Sequence, residues 1–234
     1  MKERRSERRN KSKVYEAEPI PVIERKEPKK LRPLNESQFD LIKSIQSNIV
    51  TFATGVSGTG KTYVTTSYAA QLLQQGDIKT LIFSRPGVEC GRNYGALPGE
   101  LSEKFTPFME PVIAILHERL GKTFTDYLVK RGQIQYKPLE FMRGMSFKDN
   151  FIVLDEAQNA TPVQMKLLLT RIGDNCRVVV DGDIEQKDIH GMSGLLDAVT
   201  RLKNVDGVGY INFDIEDCVR SDIVMHILRA YAKQ

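Results

Sequence analysis

The stretch Gly55-Val56-Ser57-Gly58-Thr59-Gly60-Lys61-Thr62 matches the phosphate-binding pattern G-x-x-x-x-G-K-[ST] at every fixed position. In this pattern the glycines allow backbone N–H groups to curl around a polyphosphate. The lysine reaches the outer phosphates, and the final hydroxyl is a ligand of Mg²⁺. The stretch therefore predicts a phosphate-binding loop in which Lys61 binds phosphate and Thr62 binds Mg²⁺.

The residues on either side of this loop resemble a strand and a helix. Ile49–Ala53 is an apolar, strand-like run, and a helix-like stretch extends from Lys61 to about Leu73. A helix that begins directly after the loop places the positive end of its dipole beneath bound phosphates. Strand, loop and helix together predict that the protein binds a nucleoside triphosphate with magnesium.

Apolar strands alternate with helices along the rest of the chain. A helix capped by Asn35 comes first, and two helices are predicted between 100 and 131, interrupted near Pro107, Pro111 and Gly121. The predicted strands are 49–53, 80–84, 134–136, 151–154, 177–180 and 210–213, and the other predicted helices are 62–74, 163–172, 194–202 and 222–231. This alternation predicts an α/β fold with a mostly parallel sheet covered by helices on both faces. Ligands of such sheets bind beyond the carboxyl ends of the strands, where the phosphate-binding loop falls.

Two carboxylates follow the strongly apolar strand Phe151–Leu154. Asp155, at the tip of this strand, is predicted to hold Mg²⁺ through its water shell. Glu156, one residue further, is suited to polarise an attacking water. Because these residues accompany a complete phosphate-binding loop, the sequence favours hydrolysis of the nucleotide over binding alone.

A third polar segment follows the apolar run Val178–Val180. It contains Gly182, where the backbone can turn sharply, and ends at Gln186. A glutamine at the end of a strand in this kind of sheet can sense the γ-phosphate or position water. Gln186 is therefore a further candidate catalytic residue.

Composition restricts the class of protein. The chain has 234 residues and 41% hydrophobic content, which is enough for one domain with a sizeable core plus extensions. No stretch approaches the ~20 consecutive apolar residues of a membrane span, and no apolar run of a signal peptide follows the N-terminus. The 3 cysteines are widely spaced and form no C-x-x-C pair. These features predict a cytoplasmic protein with no membrane partner.

The N-terminal residues differ in charge from the rest of the chain. Residues 1–33 carry 12 Lys or Arg and 6 Asp or Glu, a net charge of +6, whereas the whole chain has a net charge of +4. They are also rich in proline and poor in large apolar residues, which predicts a flexible basic tail at 1–33 and an ordered domain at 34–234. Such a tail either contacts a polyanion such as nucleic acid or only keeps the protein soluble, and charge alone does not decide between these functions.

The segments GVSGTGKT, VLDEAQNATPVQMKLLLTRIG and VVVDGDIEQKD resemble the core of the superfamily 1 helicases, and most closely the PhoH-like ATPases. Four further segments resemble the same family: residues 85–91, 97–100, 138–144 and 217–221. The resemblance covers roughly residues 34–232 and leaves the basic tail outside.

This resemblance implies a single RecA-like P-loop domain that binds and hydrolyses ATP with Mg²⁺. It implies that Lys61 and Thr62 hold phosphate and metal, and that Asp155 and Glu156 serve the metal and the water. Gln186 would couple to the γ-phosphate. Gln38 stands where related helicases use a glutamine to read the adenine edge.

The resemblance also implies that a part of the site lies elsewhere. A superfamily 1 helicase places ATP between two RecA-like domains, and the second domain supplies an arginine. This chain has room for one such domain, so we expect a homo-oligomer, such as a ring, in which a neighbouring copy completes the site. The candidate arginines are Arg85, Arg171 and Arg220, and Arg220 is included among the predicted catalytic residues.

Three functions remain open at the level of sequence. The first is an ATPase that couples hydrolysis to remodelling of RNA or single-stranded DNA. The second is a P-loop kinase that phosphorylates a small molecule, although the Asp155-Glu156 pair argues against it because kinases avoid activating water. The third is a nucleotide-dependent interaction switch.

Overall fold

The structure, a computed structural model, describes residues 30–87, 101–186 and 188–231. The predicted tail at 1–33 lies almost entirely outside these residues, and so do residues 88–100, which follow the second predicted strand. The division of the chain into a tail and a domain therefore stays a prediction.

The described strands form one sheet in which every neighbouring pair is parallel. They are β1 (Val50–Gly55), β2 (Thr80–Ser84), β3 (Ile134–Tyr136), β4 (Asn150–Leu154), β5 (Arg177–Gly182) and β6 (Val208–Phe213). Their spatial order is β3-β2-β4-β5-β1-β6. The central residues of β2, β4 and β5 are runs of buried apolar side chains, as expected for strands that are buried on both faces. The predicted parallel sheet is confirmed.

Helices occupy most of the connections between these strands. They are α1 (Glu36–Ser47), α2 (Lys61–Gln75), α3 (Leu101–Leu120), α4 (Lys122–Lys130), α5 (Pro162–Leu169), α6 (Gly194–Leu202) and α7 (Asp222–Tyr231). The predicted cap of α1 is confirmed, because the side chain of Asn35 accepts a hydrogen bond from the backbone N–H of Gln38 at 2.9 Å. Among the described residues, no helix combines the length and the apolar character needed to cross a membrane.

Two of the three interruptions predicted between 100 and 131 are wrong. Helix α3 continues through Pro107 and Pro111, and the chain breaks only at Gly121, where φ is 85°. A proline inside a helix removes one backbone hydrogen bond. The C-terminal half of α3 buries Val112 and Leu116 in the core, and tertiary packing of this kind contributes more to helix stability than local propensity.

The core has two layers, one on each face of the sheet. In β4, Phe151 and Val153 belong to the layer shared with α1, α2, α3 and α4. Ile152 and Leu154 alternate with them and belong to the layer shared with α5 and α6. Helices therefore cover both faces, which confirms the predicted architecture.

The order of the strands determines where the functional residues meet. β4, β5 and β1 are neighbours, so their carboxyl ends lie side by side at one edge of the sheet. The register pairs Leu154 with Val180, and Ala53 with Asp181. The loop after β1, Asp155 after β4 and Asp181 in β5 therefore converge at this edge, as expected for a ligand site in a parallel sheet.

Candidate nucleotide-binding site

The predicted phosphate-binding loop connects β1 directly to α2. Gly58 and Gly60 have φ angles of 82° and 84°, in the left-handed region that favours glycine. The hydroxyl of Thr59 donates to the carbonyl oxygen of Val56 at 3.0 Å and closes the turn. Helix α2 begins immediately afterwards, so its N-terminal N–H groups and the positive end of its dipole lie at this edge of the sheet.

The side chain of Lys61 is folded into the loop and is 8% exposed. Its Nζ donates to the carbonyl oxygens of Gly55 at 2.8 Å and Val56 at 2.9 Å. The same Nζ lies 3.9 Å from Oδ1 of Asp181. A buried ammonium requires such partners, and these contacts hold its charge at the mouth of the loop.

Asp181 is a buried carboxylate in contact with the loop. Its Oδ2 accepts a hydrogen bond from the Thr62 hydroxyl at 2.8 Å. Burial, first, and the negative charge of Asp155, second, raise the pKa of Asp181 from 3.8 to about 7, although Lys61 and the hydrogen bond from Thr62 act in the opposite direction. The ionised form of Asp181 is therefore destabilised by its position in the site.

Asp155, which follows β4 directly, lies beside Asp181 and is paired with Arg85. Its Oδ2 accepts hydrogen bonds from Nη2 of Arg85 at 2.6 Å and from Nε at 3.0 Å. Its Oδ1 accepts from the backbone N–H of Glu156 at 3.1 Å. A guanidinium that binds in this way fixes the position of the carboxylate and offsets its charge.

Glu156 has a left-handed backbone, with φ of 54°. Its Oε2 accepts a hydrogen bond from Nε2 of Gln158 at 2.7 Å. Oε1 of Gln158 in turn accepts from the backbone N–H of Asp183 at 3.1 Å. The predicted water-activating carboxylate is therefore connected to the segment that follows β5.

A cavity of about 290 Å³ opens at this edge of the sheet. It gathers most of the predicted residues, together with several to which the sequence assigned no role. Its lining consists of Ser57, Gly58, Gly60, Lys61, Thr62, Tyr63, Asp155, Glu156, Asp181, Gly182, Asp183, Gln186 and Arg220. The predicted site residues Gly55, Val56, Thr59 and Gln38 are not in this lining. The first three shape the loop from behind.

Gln38 supports the loop from the N-terminus of α1. It is buried, and its Nε2 donates to the carbonyl oxygen of Thr59 at 2.9 Å. Its Oε1 accepts from the backbone N–H of Leu34 at 2.9 Å. In the structure both ends of the amide bind the protein's own backbone, and the role of Gln38 in reading adenine stays a prediction.

Arg220 lies over the loop of its own chain. Its Nε is 2.8 Å from the position that a Cβ of Gly58 would occupy, and the neighbouring N–H of Val219 donates to the carbonyl oxygen of Gly58 at 3.1 Å. Asn35 and Ser37 bind Asp217 and hold the start of this segment against α1. Of the other two candidate arginines, Arg85 binds Asp155, while Arg171 does not line the cavity.

Sequence reasoning missed three features of the site. It assigned no role to Asp181, it did not pair Arg85 with Asp155, and it did not identify Gln158 as a bridge. The signal for Asp181 is that it follows an apolar run, just as Asp155 follows a different apolar run. Recognising that signal requires the strand order, because only the neighbouring positions of β4, β5 and β1 bring the two carboxylates together.

The donor atoms in the cavity fit a magnesium ion that accompanies a nucleotide. The Thr62 hydroxyl and the carboxylates of Asp155 and Asp181 supply only oxygen ligands, the kind that Mg²⁺ prefers. In the part of the chain that the structure describes, no group of three or more His, Cys, Asp or Glu residues could hold a metal. Mg²⁺ at nucleotide sites is usually bound through one or two carboxylates plus phosphates and water.

We expect Asp181→Asn to stabilise the protein in the absence of metal and nucleotide. Because the pKa of Asp181 is about 7 in the folded state and 3.8 for an ordinary aspartate, the folded state binds more protons between these values. Stability should therefore fall as pH rises from about 4 to about 7. In the variant, the free energy of unfolding should no longer fall over this pH range. At pH 8 it should exceed that of the wild type by at least about 1 kcal/mol, since a pKa difference of one corresponds to about 1.4 kcal/mol.

The measurement is urea unfolding in EDTA at several pH values. Asp183→Asn removes a carboxylate from the same cavity at a partly exposed position, and we expect it to keep the wild-type decline. If the free energy of unfolding of Asp181→Asn still fell with pH as steeply as that of the wild type, the prediction would be wrong.

Comparison with known proteins places these features in a family. Residues 30–232 match the family described as PhoH-like protein. The PhoH-like protein of Bacillus subtilis (strain 168) is 40% identical over 223 residues, which cover 94% of this chain and 69% of the relative. Protein PhoH of Escherichia coli (strain K12) is 42% identical over 202 residues, which cover 85% of this chain and 57% of the relative. Both relatives are thus longer than the region they share with this chain.

A solved structure shares the fold at much lower sequence identity. The large terminase from a thermophilic bacteriophage superposes with a TM-score of 0.53 at 11% identity, covering 87% of this chain and 51% of that one. This likeness shows the fold alone. On the extent of the family match and the identity to its members, the chain belongs to the PhoH-like protein family.

Proposed function

We propose that this protein binds ATP with Mg²⁺ in the cavity at the carboxyl edge of the sheet and hydrolyses it. The observation that carries the proposal is that Lys61 and Thr62 of the loop share one cavity with Asp155 and Glu156. A loop of this kind explains binding of the triphosphate, and a carboxylate that faces the same cavity supplies what hydrolysis needs in addition. Membership of the PhoH-like family supports the same function.

Each residue has a role that follows from its position. Lys61 turns from the carbonyl oxygens of the loop to the outer phosphates, and Arg220 offsets negative charge that develops on the γ-phosphate. Glu156 accepts a proton from the attacking water. Gln186, which lines the cavity from the segment after β5, contacts the γ-phosphate or the water.

Thr62, Asp155 and Asp181 would hold Mg²⁺, directly or through its water shell. When bound, the ion neutralises phosphate charge and helps to orient the triphosphate. The protein's contribution is the fixed position of these oxygens, which Arg85 secures for Asp155 and the loop secures for Thr62. ATP is an intracellular metabolite, and the 3 cysteines are odd in number and widely spaced, as is typical of reduced thiols, so we propose a cytoplasmic location.

We also propose that hydrolysis drives remodelling of RNA or single-stranded DNA by a homo-oligomer. The resemblance to superfamily 1 helicases and the basic N-terminal residues support the nucleic-acid part. Helix α7 supports the oligomer, because it exposes Ile223, Ile227 and Tyr231 at a spacing of four residues. These side chains form one apolar face, which a second copy of the chain would cover.

We expect Glu156→Gln to bind ATP with nearly unchanged affinity and to lose most of its turnover, by about 100-fold or more. The amide has the size of the carboxylate but accepts no proton from water. The measurement pairs phosphate release with the dissociation constant for ATP. As a control, Glu185→Gln makes the same exchange close by but outside the cavity lining, and should retain wild-type turnover.

The outcome of this experiment also separates the alternative functions. Unchanged turnover in Glu156→Gln would show that Glu156 does not activate water. A wild-type protein that binds ATP without releasing phosphate, even as an oligomer, would favour a nucleotide-dependent switch. Transfer of phosphate to a nucleoside or another small molecule would favour a kinase.

Nucleic acid should stimulate the ATPase activity. We expect RNA or single-stranded DNA to raise turnover several-fold at low salt, and the effect to weaken as salt increases because phosphate contacts release counterions. The measurement is ATP turnover against nucleic-acid concentration at two or more salt concentrations. An activity that is indifferent to both nucleic acids at low salt would remove the remodelling part of the proposal and leave the ATPase part standing.

We expect Arg220 to serve the nucleotide bound by its own chain, since it lines that cavity. The test mixes Lys61→Ala with Arg220→Ala under conditions of subunit exchange, with the native mass measured in parallel. If Arg220 acts within its own chain, the ATPase activity of the mixture stays at the mean of the activities of the two inactive variants. If it serves a neighbouring copy, about a quarter of the sites in a randomly mixed head-to-tail ring become complete and activity returns.

A further inference from the structure

Gln158 is a buried glutamine whose side chain joins the proposed water-activating carboxylate to the segment after β5. We infer that Gln158 is a positioning residue that fixes the orientation of Glu156 and makes it depend on the position of residues 183–186. The inference rests on the proposed hydrolysis and adds to it a means of control. It assigns Gln158 no contact with substrate.

Both ends of the Gln158 amide are used. Nε2 donates to Oε2 of Glu156 at 2.7 Å, and Oε1 accepts from the backbone N–H of Asp183 at 3.1 Å. Gln158 is only 2% exposed, so water does not compete for these bonds as it does at the surface. The amide therefore acts as a short, directional link between two parts of the cavity wall.

The surroundings leave Gln158 little freedom to adopt another orientation. A Cβ on Gly182 would lie 2.6 Å from its Oε1, so this side chain fits only against glycine. On the backbone side, its carbonyl oxygen accepts from the hydroxyl of Ser193 at 2.8 Å. The next residue, Asn159, accepts from the N–H of Asp188 at 2.8 Å. Residues 158–159 are thus fastened to the chain after β5 at several points.

Glu156 needs such a constraint because of its backbone. Its φ of 54° lies in the left-handed region, which residues with a side chain seldom occupy. Such a conformation persists only where surrounding contacts determine it. The hydrogen bond from Gln158 is a side-chain contact that determines where the carboxylate of Glu156 points.

The link extends to the proposed γ-phosphate sensor. The backbone N–H of Gln186 donates to the carbonyl oxygen of Asp183 at 3.1 Å, so the two residues form one turn. Movement of Gln186 toward a phosphate would shift the N–H of Asp183, which holds Oε1 of Gln158. Gln158 would transmit this shift to Glu156, so that the carboxylate is correctly oriented only when the turn is in place.

A purely structural role makes a different prediction. If Gln158 only filled space and satisfied the Asp183 N–H, its loss would lower stability but leave turnover per folded molecule unchanged. If it orients Glu156, its loss lowers kcat while ATP binding persists, because small misplacement of a catalytic group costs up to about 100-fold in rate. Measuring kcat and the dissociation constant for ATP separately therefore distinguishes the two roles.

The test uses two variants of Gln158 and a matched control. Gln158→Glu keeps the acceptor for Asp183 but replaces the donor to Glu156 with a carboxylate. Gln158→Met has similar length and makes neither bond. Gln164 offers the control, since its Nε2 donates to Oε1 of Glu140 at 2.8 Å outside the cavity. Gln164→Glu makes the same exchange opposite a glutamate and keeps a residue suited to the capping box of α5.

We expect both Gln158 variants to lower kcat about 10- to 100-fold, with the dissociation constant for ATP changed less than about threefold. Gln164→Glu should keep kcat within about twofold of the wild type, since it acts on nothing in the cavity. Thermal unfolding of each variant reports the folded fraction, so a Gln158→Glu protein that fails to fold leaves Gln158→Met to decide the question.

A double-mutant cycle with Glu156→Gln completes the test. If Gln158 acts through Glu156, adding Gln158→Met to Glu156→Gln lowers the single-turnover rate less than about twofold further. An equal loss in both backgrounds would overturn the inference, and so would a wild-type kcat in Gln158→Met. Failure of the proposed function looks different, because the wild type itself would then bind ATP without hydrolysing it.

Discussion

The burial of Asp181 beside Asp155 is the constraint on which the site depends. Two carboxylates at the ends of neighbouring strands repel each other, and Asp181 also loses most of its hydration. Lys61, the hydroxyl of Thr62 and the guanidinium of Arg85 compensate for part of this repulsion. The loop, the helix behind it and the arginine at the end of β2 are therefore held in place by the same group of charges.

The sheet enforces this arrangement through apolar packing. Ile152 and Leu154 point to one layer of the core, and Val153 points to the other, so β4 cannot shift by one residue without exposing a buried side chain. The same holds for β5, which carries Asp181. Hydrophobic burial thus sets the register, and the register keeps the carboxylates close despite their repulsion. Sites that hold charged groups close together in this way commonly cost a protein some stability.

The sequence predicted the features whose signals are local. Every predicted strand is present. The loop, Asp155 and Glu156 could be proposed from sequence because each follows closely after an apolar strand. The prolines of α3 show the limit of local rules, since packing of the helix outweighs a lost hydrogen bond. The rest of the site consists of contacts between distant segments: Arg85 meets Asp155 because β2 and β4 pair, and Asp181 belongs to the site because β5 lies between β4 and β1. Strand order is a property of the whole fold, and no local pattern in this chain encodes it.

Arg220 reaches the cavity of its own chain. The expectation of an arginine from a neighbouring copy came from the superfamily 1 helicases, in which a second domain supplies it. Segment 217–220 does reach the cavity, because Asn35 and Ser37 bind Asp217 and Val219 binds the loop at Gly58. Helix α7 begins directly after this segment and exposes its apolar face. A second copy that packs on α7 would therefore lie next to the segment that carries Arg220.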